Sequence, residues 1–180
     1  MTAGTPRDYT VLLPPGWARI PLDGREGARV AALAAQKTAS LPDPQRHQVR
    51  ERLTVLLRST LRDARKCGGI DVLLSLAERG GVPLAASCLV GYLNLEIRVP
   101  FDMLSAALSP DGRSDVVTIP SGNAVRHRYT EPGMCKLDYF LPVPGRTGLL
   151  TMAFATPVEQ LAEPFAMLFD AIAESLRWRT

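Results

Sequence analysis

The sequence predicts an α+β domain, in which an antiparallel β-sheet of six to seven strands is packed between N-terminal helices and a long C-terminal helix, an αβα sandwich. Three observations carry this. Apolar residues recur at helical spacing near both ends, over 25–66 and again after residue 156. Between those stretches, apolar and polar residues alternate at period two and are punctuated by Gly-, Pro- and Asn-rich turns. The chain has 180 residues, 46% of them hydrophobic and 22% charged, with no internal repeat and no dividing linker. One unit over residues 1–180 with a sizeable core is therefore expected.

Tyr9 to Leu13 reads as a short strand ended by Pro14-Pro15-Gly16, after which Trp17 offers a large apolar surface. The alanine-rich run from Arg25 to Gln36 has high helix propensity. Leu41-Pro42-Asp43-Pro44 breaks it, with Asp43 as the expected N-cap of a second helix from Pro44 to Lys66. On that helix Val49, Leu53, Leu56, Leu57, Thr60, Leu61 and Ala64 share one side. Arg46, Arg50, Arg58, Arg62 and Arg65 fall on the adjoining arc, with Lys66 beyond them. Arg65 and Lys66 oppose the helix dipole in the last turn, and Cys67-Gly68-Gly69 stops the helix.

The period then changes. Ile70 to Ala77 and Val82 to Leu95 read as an antiparallel pair turning at Arg79-Gly80-Gly81, with Gly91 a point of bulging or close approach. Pro100 to Leu108 reads as a short helix, followed by a turn at Ser109-Pro110-Asp111-Gly112. Strands are expected over 116–119, 124–129, 135–141 and 149–155, with Pro142 to Gly148 as a loop. At the end, Thr156 is expected to cap a helix, with Pro157 at its first position and Glu159 completing a capping box. Leu161, Phe165, Leu168, Phe169, Ile172 and Leu176 form its apolar stripe, each worth roughly 1.5–3 kcal/mol if buried. Pro164 should kink this helix or split off its first turn.

The order of these elements also has a precedent. With Leu13-Pro14-Pro15-Gly16-Trp17 near the start, Pro120-Ser121-Gly122 before a strand, and Phe169-Asp170-Ala171-Ile172 leading to Leu176-Arg177-Trp178, it resembles the PsbP-like αβα sandwich superfamily. That superfamily includes the Ran-binding Mog proteins, DcrB-type lipoproteins and effector-associated chaperones of type VI secretion. The likeness is carried by the two ends, and residues 25–66 hold more helix than the simplest members do. It implies the sandwich fold and a habit of binding other proteins without catalysis. It supplies no catalytic residue, and fold analogy is a weak warrant for function.

Charge and motifs narrow the chemistry. A formal charge of +3 gives no overall pull toward nucleic acid. Cys67, Cys88 and Cys135 are odd in number and lack C-x-x-C spacing, which argues for reduced core thiols and against a disulfide framework or a zinc ribbon. No signal-peptide pattern and no membrane-length apolar run is present, so a cytoplasmic protein is expected. There is no P-loop, dinucleotide fingerprint, H-E-x-x-H or G-x-S-x-G. His127 alternates with Arg126 and Arg128, without the third orienting group that a nucleophile–base pair needs, and reads as a packed histidine. His47 reads as solvated, and Asp138 as a solvent-side partner of a neighbouring Arg or Lys. No metal, cofactor or catalytic residue is assigned.

The function these residues point to is a non-catalytic protein-binding domain, a chaperone or accessory factor for a secreted or membrane-associated partner, with a homodimer as one assembly. Its contact surface would be the helical insertion with its arginine arc, the open sheet face and the 142–148 rim loop. A solvated arc whose arginine stems shield apolar surface is the plain alternative. A second reading is a small-ligand binder or minor enzyme with a pocket near His127, Tyr129 and Tyr139. A third is nucleic-acid binding through the arc, weakened by the lack of aromatic stacking residues.

Overall fold

The computed structural model describes residues 9–79 and 82–179. Its elements in order are β1 (Tyr9–Thr10), β2 (Trp17–Pro21), α1 (Glu26–Thr38), α2 (Asp43–Lys66), β3 (Gly69–Ser75), β4 (Glu78–Arg79), β5 (Val82–Pro83) and β6 (Ser87–Leu93). They continue with α3 (Phe101–Leu108), β7 (Arg113–Ile119), β8 (Gly122–Glu131), β9 (Met134–Pro142), β10 (Leu149–Thr156), α4 (Ala162–Glu174) and β11 (Arg177–Trp178). The main sheet has seven strands in the order β2-β3-β6-β10-β9-β8-β7, every neighbouring pair antiparallel. The α+β sandwich is therefore present.

Side-chain alternation gives the sheet two unlike faces. Leu73, Cys88, Val90, Leu150, Met152, Phe154, Leu137 and Tyr139 point one way and make the larger core with Phe165, Phe169, Ile172 and Leu176. Phe154 and Phe169 stack with centroids 4.8 Å apart. Charged pairs then fix the direction of α4. Arg126 on β8 donates to both carboxylate oxygens of Asp170 at 2.8 Å, and the Tyr139 hydroxyl donates to the same carboxylate at 2.7 Å. Arg128 grips Glu163 in the same forked manner. On the opposite face, Ile20, Leu22, Val30, Leu33, Leu61 and Val72 form a smaller core under α1 and α2, over β2 and β3. The far end of that face is covered by α3, which packs on β7 and β8.

The first and last described strands meet beside the larger core. β1 pairs with β11, and the buried Tyr9 hydroxyl donates to Asp71 at 2.5 Å, where Arg19 also donates at 2.7 Å. Burial, before that hydrogen bond, pushes the Tyr9 phenol well above its usual value.

Several expectations need correction. The chain does not stay extended to Leu13: β1 stops at Thr10, and Trp17 opens a strand, β2, that the Pro-Pro-Gly run had masked. Gly16, at φ 81°, makes the turn between them. Thr156 does not cap a helix. Its hydroxyl donates to the Ala85 carbonyl at 2.8 Å and accepts from the Val158 amide, holding β10 to the start of β6. Glu159–Leu161 is a separate 3-10 turn, so Pro164 falls in the first turn of α4, where its missing N–H is not needed. This is the splitting that Pro164 predicted. The same helix ends at Glu174, because residues 177–178 pair with β1 instead of continuing it. Asp43 lies inside α2 and makes no cap, with Pro42 at that position. Of the predicted α2 stripe only Leu61 is buried. Cys88 is a core thiol, but Cys67 is exposed.

The β3–β6 pairing is antiparallel as expected, with the register shifting at Gly69/Asp71 opposite Gly91. A Cβ on Gly91 would lie 3.1 Å from the Gly68 carbonyl oxygen, so the close approach is real. The expected turn at Gly80-Gly81 lies outside the described residues.

Two substitutions test how α4 is held. Phe169→Ala should lower the unfolding free energy by about 3–5 kcal/mol. Asp170→Asn, which strands a half-buried guanidinium, should lower it by about 2–3 kcal/mol. Urea unfolding followed by far-UV circular dichroism measures both.

Candidate functional site: an uncovered trough on the sheet

The two faces of β10 are buried to different degrees. Met152 and Phe154 are 0% and 1% exposed beneath α4, whereas Thr151, Ala153 and Ala155, facing the other way, remain half-buried. The reason lies in the layout of the helices. On that face α2 lies over β3 and α3 over β7 and β8, and of the three strands between, β10 and β9 have no comparable roof among the described residues. The result is a trough floored by Thr151, Ala153 and Ala155 of β10 and by Lys136, Asp138 and Phe140 of β9, with Leu89 of β6 packed against the smaller core along its edge.

One wall is α2. Arg65 pairs with Glu26 of α1, so the flank of α2 opposite Arg65, at Val49 and Leu56, points away from α1 and toward the trough. Val55 and Leu56 are 64% and 63% exposed. One end of the trough is closed. Residues 94–100 must cross β10 and β9 to carry the chain from β6 to α3. The Thr147 hydroxyl of the 143–148 loop ties that crossing down by donating to the Leu95 carbonyl at 2.5 Å. Two adjoining open clefts of about 690 and 350 Å³ lie there and share Arg98, Arg146 and Thr147. The predicted rim loop thus lines a cavity.

The floor holds an unusual carboxyl. Asp138 sits between His127 of β8 and Ala153 of β10 in the sheet register. The Tyr129 hydroxyl donates to Asp138 Oδ2 at 3.1 Å, while Oδ1 is shielded and has no protein donor among the described residues. Burial pushes the Asp138 carboxyl up to about 6. Asp138 is not the predicted surface partner of a neighbouring cation, since Lys136 pairs with Glu131 at 2.7 Å and stands over the Tyr129 ring. His127 stacks on Tyr129 with centroids 4.6 Å apart and lies under α3, where burial lowers its pKa against the pull of Asp111 and the Leu108 carbonyl.

The predicted pocket does not form as a unit. His127 and Tyr129 share the trough face, but Tyr139 is on the other face, bonded to Asp170 beneath α4. Strand parity separates them, because residue 139 sits opposite Arg126 and not opposite His127. The arginines also divide. Arg46 pairs with Asp43 and donates to the Leu41 carbonyl, and Arg65 pairs with Glu26. Arg50, Arg58 and Arg62 are exposed with no ion-pair partner among the described residues. His47 is exposed. No group of three metal-ligating side chains is found among the described residues, nor any helix long and apolar enough to cross a membrane.

Sequence reasoning named an open sheet face but not the residues that floor it. Their signal was present: Thr151, Ala153 and Ala155 are small, and they alternate with the bulky Leu150, Met152 and Phe154.

No family model matches the chain, and no curated protein sequence matches it. Among solved structures, the solution structure of cyanobacterial PsbP (CyanoP) from Synechocystis sp. PCC 6803 is similar at 14% identity. That similarity covers 95% of this chain and 86% of that one, with a TM-score of 0.43.

The raised Asp138 carboxyl has a consequence for stability. Its folded value of about 6 exceeds the unfolded value of about 3.9. The native state therefore holds the extra proton between those values, and stability falls as pH rises through that window. Asp138→Asn should match the parent near pH 4 and be more stable by about 1–2 kcal/mol near pH 7.5. Urea titrations at the two pH values measure the difference.

Proposed function

We propose that this chain is a non-catalytic protein-binding domain, an accessory or chaperone-type factor, whose binding surface is the trough together with α2. One observation carries the reading. The central strands are sealed by α4 on one face and left half-open on the other, beside a helix with Val55 and Leu56 in solvent. Exposed apolar surface next to a concave floor favours association with another apolar surface. Arg50, Arg58 and Arg62 are free to choose a partner by charge, with Arg46 and Arg65 serving to hold α2 in place. An exposed free thiol at Cys67 suits a reducing compartment, and we assign the cytoplasm.

The test is photocrosslinking in the native cell. A photoreactive phenylalanine analogue is placed at position 56 or 153, and at position 167 as a control, where Met167 is 73% exposed on the outer side of α4. Discrete protein adducts from 56 and 153 and none from 167 are expected. Adducts from 167 alone, or none from 56 and 153, would remove the trough from the reading.

A further inference from the structure

Resting on that reading, we propose that the trough seats one amphipathic α-helix of a partner protein, with acidic flanks and its C-terminal end at the closed mouth beside Arg98.

The width of the trough selects the occupant. From β3, under α2, to β8, under α3, is four strand spacings across β6, β10 and β9. At ~4.8 Å each this is about 19 Å. Neighbouring helices pack at 8–10 Å, so the layer formed by α2 and α3 lacks one helix. An extended segment would gain nothing comparable there. β6, β10 and β9 each have a neighbour on both sides, which leaves no free ladder edge in the trough for an added strand. The floor suits close approach of a helix, with the small Ala153 and Ala155 at its centre. Strand β10 has 8 residues, a run of ~27 Å that a helix of about 18 residues matches.

Charge selects the occupant's character and direction. α2 carries seven lysines and arginines against three carboxylates, and although Arg58 and Arg62 project on the α1 side with Arg65, the net charge of the helix attracts an acidic segment toward it. The closed mouth presents Arg98 and the N-terminus of α3 at Phe101. Both favour the negative end of a helix dipole. The same charge disfavours a second copy of this chain offering its own α2, because two basic helices would then lie side by side.

Three synthetic 18-residue peptides test this by fluorescence anisotropy on the intact protein. One has a Leu/Ala face with Glu flanks, one carries Lys in place of Glu, and one carries two central prolines. The Glu peptide should bind and gain helical circular dichroism, the Lys peptide should bind at least tenfold more weakly, and the proline peptide should not bind. Ala153→Trp, which fills the floor, should abolish binding with the protein's far-UV spectrum unchanged, and Arg98→Glu should weaken it about fivefold or more. Equal binding of the proline or Lys peptide, or full binding to Ala153→Trp, would overturn the proposal. So would sedimentation of the protein alone as a dimer that Ala153→Trp dissociates, which would give the seat to a second copy.

Mapping the adduct from position 153 separates the two readings. Contacts spaced three and four residues apart on one partner segment support the helix. Contacts at every second residue, or with a nucleic acid, leave the helix overturned. In the first of those cases the protein-binding reading still stands.

Discussion

Strand β10 lies at the centre of the sheet, and everything else follows from the unequal size of its two side-chain sets. Leu150, Met152 and Phe154 fill the space beneath α4, and Phe154 stacks on Phe169. Thr151, Ala153 and Ala155 fill almost nothing on the other side. A helix above small side chains gains its burial by close backbone approach. One above large side chains gains it by interdigitation. The described residues supply a helix, α4, for the second kind of face and none over Ala153 and Ala155 on the first.

Electrostatics reinforces the same division. Where α4 is meant to stay, Arg126 and Arg128 reach it from β8 with forked pairs to Asp170 and Glu163, and Tyr139 adds a third bond. The geometry of these pairs fixes both the rotation and the shift of the helix. The trough side has no such lock on its floor. Lys136 is taken up by Glu131 within its own hairpin, and among the described residues the Asp138 carboxylate finds a donor, Tyr129, for one oxygen and none for the other. A floor with one neutral-leaning carboxyl and several methyl groups discriminates weakly by charge. The cations lie along α2 and at the closed mouth, and they do the discriminating.

The sheet, its antiparallel sense and the helical ends could be read from the sequence because each depends on local periodicity. Leu137, Tyr139 and Leu141 against Lys136, Asp138 and Phe140 gave the two-faced strand directly. Position in the sheet could not be read, since the order of strands is decided by contacts distant in sequence. This is why Asp138 looked like a surface residue: one face of β9 was taken to be wet, whereas the residue sits mid-sheet between His127 and Ala153. The capping box at Thr156 failed for a related reason. A hydroxyl that fits a cap also fits a buried carbonyl, and the Ala85 carbonyl needed a donor. The His127, Tyr129 and Tyr139 grouping ignored parity across the β8–β9 register, which no single strand reveals. On α2, the helical stripe was genuine, but periodicity cannot say whether a partner covers it.

The length of α2 explains why its stripe stays exposed. At 24 residues the helix runs ~36 Å, whereas the 7 residues of β3 beneath it run only ~24 Å. Its C-terminal half reaches the sheet through Leu57, Leu61 and Ala64, and the first turns overhang. α1, at 13 residues, covers only one flank. An uncovered helix with apolar residues at 49, 55 and 56 would invite indiscriminate association, and the arginines interleaved with them counter this by like-charge repulsion between copies. Their long stems also shade the apolar surface while the trough is empty. The arginine arc therefore has two linked effects: it keeps the unoccupied surface dispersed, and it admits a segment that brings carboxylates to meet it.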